Sequence, residues 1–238
     1  MSWQVLAITG GILAGLIFFG VFFWAFSQQS RKRLIHQVEA QLMEHLRSIG
    51  VKGEAQSGKS IVIRTREDGY TTVLLRLLVT IHVWLRGIQS IEIWRLIRKG
   101  EEKTKTLDEI TYVITLEPGM TLNRLPILTK IASTQTDNGK TELEWQGFEW
   151  GRLPLLVDRL KADRGLNGQL FSHFDSNPTD NLRITAPSGQ KICITMSYEP
   201  QRLPSREFLT CIEDLAMHVL DYVAERNSAR AQEGGQLR

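Results

Sequence analysis

The sequence predicts an α+β fold class: a single N-terminal transmembrane helix followed by a cytoplasmic domain with a mostly antiparallel sheet and packed helices. Three observations carry that expectation. Residues 1–30 hold no charged side chain, and Arg31, Lys32 and Arg33 follow at once. Runs rich in β-branched and aromatic residues, separated by turn signals, occupy much of 60–116 and 181–197. Helical apolar periodicity stands before, between and after these runs, an order that suits helices packed on an antiparallel sheet.

The first element is the anchor. Val5 to Phe26 is an apolar run broken only by Thr9 and four glycines. As a helix it rises about 33 Å, enough for a hydrocarbon core of roughly 30 Å. Trp3 and Trp24 fall near its ends, where amphipathic rings prefer the headgroup level. Lys and Arg close to the span stand only on its C-terminal side, which puts the N-terminus outside and the larger part of the chain in the cytoplasm. Ala25-Phe26-Ser27 has the small-x-small form of a signal-peptidase site. A cleaved leader, however, needs positive charge before the apolar stretch, and a basic cluster directly after it opposes translocation. Cys193 and Cys211 are the only cysteines, too few for the disulfide framework of a secreted domain. Ala7, Gly11 and Gly15 recur every four residues and contain a GxxxG match. Small residues on one helix face let two backbones approach closely in lipid, so this face is the expected helix-packing site.

All 29 Lys and Arg and all 26 Asp and Glu lie beyond residue 30. The formal net charge of +3 equals that of Arg31 to Arg33 alone, leaving the domain close to neutral. A broad nucleic-acid-binding surface is therefore not expected, and no nucleic acid is assigned as a partner.

Leu34, Ile35, Val38, Leu42, Leu46 and Ile49 recur at three- and four-residue intervals, predicting a helix over 31–49 stopped by Gly50. With its connector this basic juxtamembrane segment covers 31–57, and the globular domain covers 58–226. Strands are expected at 60–66, 70–86, 91–98 and 110–116, with Asp68-Gly69 and Gly87 to Ser90 as turns. A loop-rich stretch runs from there to Gly151. Leu153 to Arg164 reads as a helix that tolerates Pro154 in its first turn. Asn181 to Ala186 and Lys191 to Ser197 flank Pro187-Ser188-Gly189 as a hairpin. The last helix is capped by Ser205 and carries one apolar face from Phe208 to Val223, ending near Arg226. The polar tail, 227–238, is expected to fray.

Several motifs bear on chemistry. Gly53 to Ser60 satisfies GxxxxGKS, yet a phosphate-binding loop needs a strand before it and a helix after it. Here the flanks are inverted, so Lys59 is not expected to bind nucleotide. On the predicted strand 77–85, Leu77, Val79, Ile81, Val83 and Leu85 face the core. The opposite face carries Thr80, His82, Trp84 and Arg86, joined by Glu92 and Trp94. Trp84, Trp94 and Arg86 are the interface candidates, since tryptophans beside charged groups resemble the anchors of protein interfaces. The alternative is that a helix of the same domain buries them.

Glu142 to Gly151 is acidic, aromatic and glycine-punctuated. It suits a sugar or cation only if its carboxylates converge across a substrate, and otherwise forms a strand and loop with the aromatics packed down. His173-Phe174-Asp175 lacks a third neighbour for metal binding, and neither cysteine has the context of a nucleophile. No catalytic residue, cofactor or metal is assigned. The expectation is a membrane-anchored, non-enzymatic accessory or assembly subunit of a membrane-bound complex. Its partners would be the lipid bilayer and other membrane-protein subunits or a second copy of the chain. The alternatives are a membrane-tethered nucleotide-dependent or hydrolytic enzyme, and a ligand-sensing cytoplasmic domain with a pocket between sheet and helices.

Overall fold

The computed structural model describes residues 29–30, 32–56, 62–67, 71–99, 104–120, 122, 127–132, 142–147, 154–175 and 181–235. Two compact units divide the chain, 1–41 and 42–238. What is described of the first is helical. Among the described residues no helix is long and apolar enough to cross a membrane. The expected span at 5–26, with Ala7, Gly11 and Gly15, lies outside them.

Helix α1 (32–48) stops where its periodicity stops. Gly50 adopts φ 76°, a left-handed conformation that costs glycine little. Its N–H donates to the carbonyl of Arg47 at 3.0 Å, and that of Val51 donates to Leu46 at 2.8 Å. This pair of bonds is a Schellman cap, closed by the buried side chains of Leu46 and Val51.

The second unit is α+β with an antiparallel sheet, as expected. Nine strands are found among the described residues: β1 (Gly53–Gln56), β2 (Val62–Glu67), β3 (Thr71–Leu85), β4 (Ile88–Lys99), β5 (Thr104–Thr115), β6 (Ile127–Ala132), β7 (Glu142–Gly147), β8 (Leu182–Ser188) and β9 (Lys191–Ser197). β1 and β2 share one edge of β3, and the order then runs β3-β4-β5-β9-β8-β6-β7. Helices α2 (Pro154–Ala162) and α3 (Arg164–Asp175) separate β7 from β8, and α4 (Arg206–Gly235) closes the chain.

Alternation along the strands separates the two faces of the sheet. One face carries Val79, Ile81, Ile91, Ile93, Ile110, Tyr112, Ile114, Ile192, Ile194 and Met196, all buried. With the α4 stripe of Phe208, Leu209, Ile212, Leu215, Ala216, Val219 and Val223 they form the core. Leu77 departs from the expected core row. A bulge between Leu77 and Val79 leaves Leu78 without a partner in the register and sets Leu77 opposite Trp94 instead. One extra residue in a strand exchanges the faces of everything on one side of it.

Other expectations are corrected by local physics. The turn after β3 is Arg86-Gly87, so β4 starts at Ile88 rather than Ile91. The expected loop to Gly151 contains the β6–β7 hairpin, and the single helix expected over 153–164 ends at Ala162, with α3 beginning at Arg164. α3 contains Gly165 and Gly168, which lower its intrinsic helicity. Leu166, Leu170 and Phe174, spaced every four residues and all buried, hold it in place. α4 does not end near Arg226 but continues to Gly235. The added residues include Ala, Arg, Gln and Glu, which favour a helix, while Asn227 Nδ2 and Ser228 Oγ donate back to the carbonyls of Val223 and Ala224 at 2.8 and 2.9 Å.

Candidate functional site

The face of the sheet opposite the core is an ordered polar grid. One row runs His82, Ser90, Val113, Cys193, Thr185 across β3, β4, β5, β9 and β8. The next runs Thr80, Glu92, Thr111, Thr195, Arg183, and a third runs Leu77, Trp94, Glu109, Ser197. The grid satisfies itself. Trp94 Nε1 donates to Glu92 Oε2 at 2.8 Å, and Lys191 Nζ to Glu92 Oε1 at 3.0 Å. The Thr111 and Thr195 hydroxyls pair at 3.1 Å, and Arg183 bridges to Glu109 at 2.6 Å. Glu92, only 8% exposed, thus has both oxygens engaged, as a buried carboxylate requires.

The three interface candidates take different roles. Trp94 is half-buried and tied to Glu92, so it belongs to the grid. Arg86 is held by α4. Its guanidinium pairs with Asp214, and its backbone N–H donates to Glu213 Oε1 at 2.8 Å. It pins the β3–β4 turn to the helix. Trp84 is 62% exposed, the largest apolar side chain so placed among the described residues. Among the described residues no helix buries it. Trp84 and Trp94 are not brought together, because Leu77 stands opposite Trp94 and Trp84 lies seven positions on, about 23 Å along the strand.

Next to Trp84 in the chain, Leu85 begins an open groove of about 490 Å³, floored by Leu85, Ile88, Leu116 and Leu220 and edged by Glu117 and Asp221. That volume falls within the usual range for ligand pockets, roughly 300–1,000 Å³. The groove escaped sequence reasoning, since its walls come from the β3–β4 turn, the end of β5 and the middle of α4. No local spacing encodes that convergence.

The remaining motifs resolve individually. Gly53 opens β1 opposite Val83, so the first four residues of the GxxxxGKS match sit in a strand ladder. A Cβ at Gly53 would meet Ile81 Cγ2 at 2.9 Å, which is the packing reason for glycine there. The rest of the match, including Lys59, lies outside the described residues. In the acidic aromatic stretch, Glu142–Gly147 is β7 and Trp145 is packed inward, its Nε1 donating to Asn167 Oδ1 at 2.6 Å. Residues 148–151 lie outside the described residues. His173 stacks on Phe208 at 3.8 Å, and its burial lowers its pKa. Burial pushes the Cys193 thiol up to about 11 and the Cys211 thiol up to about 12, so both are protonated at neutral pH. Among the described residues no group of three or more His, Cys, Asp and Glu is placed to hold a metal.

A second polar cluster joins α4 to the α2–α3 junction. Asp163 Oδ1 accepts the Leu166 N–H at 2.9 Å, capping α3, and Oδ2 meets His218 Nε2 at 2.8 Å. The Leu166 bond first, and His218 second, hold the Asp163 carboxyl below its usual range. A carboxylate whose folded pKa is depressed stabilises the fold above its unfolded pKa, about 3.9, and that contribution is lost as pH falls through the folded value. Asp163→Ala is expected to cost about 1 kcal/mol at pH 7 through the lost cap. It should also flatten the acid limb of stability below about pH 4, which urea melts of both proteins across that limb would measure.

Comparison of the chain with family models, curated proteins and solved structures finds no match.

Proposed function

We propose that the chain is a membrane-anchored, non-enzymatic accessory or assembly subunit of a membrane-bound complex, and that it receives its partner on the surface around Trp84. One observation carries this reading. A tryptophan, 62% exposed, stands near the end of the ordered strand β3. Large aromatics in that setting are the usual energetic anchors of interfaces, each worth 2 kcal/mol or more when buried by a partner. The charge-free residues 1–30 and the Arg31 to Arg33 cluster support a tether with the domain in the cytoplasm. Small residues at 7, 11 and 15 supply a second contact within the bilayer.

Trp84→Ala should leave the melting temperature unchanged, because the side chain adds little to the core. The same substitution should weaken association with the partner subunits by about 30-fold, the equivalent of 2 kcal/mol. Co-purification from native membranes, titrated against salt and detergent, measures this. Undiminished recovery with the alanine variant would remove Trp84 from the interface. The groove volume of about 490 Å³ favours a second reading, a ligand-sensing domain. In that case Leu220→Arg, which fills the groove, would abolish ligand-dependent behaviour while Trp84→Ala would not.

A further inference from the structure

The groove that begins at Leu85 has a one-sided chemistry. Its floor is apolar, with Leu85, Ile88 and Leu116 all buried. Its charges are two exposed carboxylates, Glu117 and Asp221, and no Lys, Arg, His or aromatic side chain lines it. Among the described residues neither carboxylate makes an ion pair or a side-chain hydrogen bond. Asp221 acts on Arg159 electrostatically, yet that guanidinium is bound by Glu225. Gln89 and Thr115, also in the lining, are bonded to each other, the Thr115 hydroxyl donating to Gln89 Oε1. The rim is fixed by backbone bonds. After β5 the chain turns through Glu117-Pro118-Gly119-Met120, where the Met120 N–H donates to the Glu117 carbonyl at 3.0 Å and Gly119 has φ 95°. Proline at the second position and a left-handed glycine at the third make this a type II turn. On either side of it the N–H groups of Leu116 and Leu122 donate to the Gln190 and Gly189 carbonyls, each at 2.9 Å.

We infer that this groove binds a small organic cation, an ammonium or guanidinium head carried on a short apolar chain. Two carboxylates beside an apolar floor complement that chemistry and repel an anion. A quaternary ammonium is held by aromatic faces, which the lining lacks, so the head is one whose N–H groups donate to carboxylates. Size selects a small molecule over a segment of protein. A volume of about 490 Å³ suits one ligand. A docking helix instead spreads its anchors from i to i+7, about 10 Å, whereas the α4 wall offers only residues 220–224, about 6 Å. The inference gives a ligand class to the groove of the ligand-sensing reading, on which it rests, and is independent of what the Trp84 surface meets.

The full chain, carrying carbon-13 in its methionine methyl groups and held in phosphatidylcholine nanodiscs, is titrated with hexylammonium. Met120 lines the groove, so its methyl signal, assigned with Met120→Leu, should shift saturably, while those of Met43 on α1 and Met196 on β9 stay in place. Butylammonium should bind about ten-fold more weakly, because each buried methylene is worth about a four-fold gain. The rim variant E117Q/D221N, altered only at exposed side chains, should weaken hexylammonium by about ten-fold, and added salt should do the same to the native chain. Absence of a saturable Met120 shift would overturn the inference. So would equal binding of hexanol or hexanoate, full affinity in E117Q/D221N, or a shift produced by a basic amphipathic peptide and not by hexylammonium. Trp84→Ala should leave the titration as it is, which keeps this result separate from partner association. If the chain is not retained on the discs, the same titration in buffer gives the answer, so the anchor reading does not decide it.

Discussion

Ending the chain at Pro204 should abolish cooperative folding. The deletion removes α4, whose Phe208, Leu209, Ile212, Leu215, Val219 and Val223 are all buried. Fully burying one such side chain is worth about 1.5–3 kcal/mol, and a domain of this size has about 5–15 kcal/mol of net stability. Losing six, and wetting the apolar face of the sheet they seal, exceeds that reserve. The polar ties go as well: Glu213 to the Arg86 N–H, Asp214 to the Arg86 side chain, and His218 to Asp163. The milder form is Ile212→Ala, which should cost about 2–5 kcal/mol and retain a cooperative transition. Thermal melts followed by near-ultraviolet circular dichroism read both. A truncated chain that melts sharply at the full-length temperature would make α4 an appended element and move partner recognition to it.

Trp145→Ala should destabilise the domain by about 3–5 kcal/mol, the range for deleting a large buried aromatic. Trp145 is 2% exposed and is the hub that joins the β6–β7 hairpin to the helices. Its Nε1 donates to Asn167 Oδ1, while Asn167 Nδ2 donates to the carbonyls of Leu160 and Lys161 at 2.7 and 3.2 Å. One tryptophan thereby orients an asparagine that caps the C-terminal end of α2. Trp145→Phe keeps most of the packing but leaves the amide oxygen of Asn167 without its donor, for a cost of about 1–3 kcal/mol. Urea denaturation of the two variants separates packing from hydrogen bonding. A phenylalanine variant as unstable as the alanine one would assign the effect to shape alone.

The expected hairpin around Pro187-Ser188-Gly189, the long strand from Tyr70, and the C-terminal helix were legible because each has many apolar positions repeating at one period. β7 was legible as part of the strand and loop expected over Glu142 to Gly151, and its Trp145 is packed down as that reading required. α3 was obscured by two glycines, although the spacing of Leu166, Leu170 and Phe174 was the available signal. For the candidate site, strand alternation placed Trp84, Trp94 and Arg86 on the non-core side, but whether a neighbour covers them is not a property of the strand. The structure leaves Trp84 open, ties Trp94 to Glu92, and gives Arg86 to α4.

By itself, then, the sequence determined the α+β class, the amphipathic faces of α1 and α4, and the stop at Gly50, because periodicity and cap chemistry act within a few residues. Tertiary structure decided the Leu77 face, through a single unpaired residue at the bulge, and the groove that begins at Leu85, through segments more than a hundred residues apart in the chain. The bulge shifts register, and register is set only when strands pair.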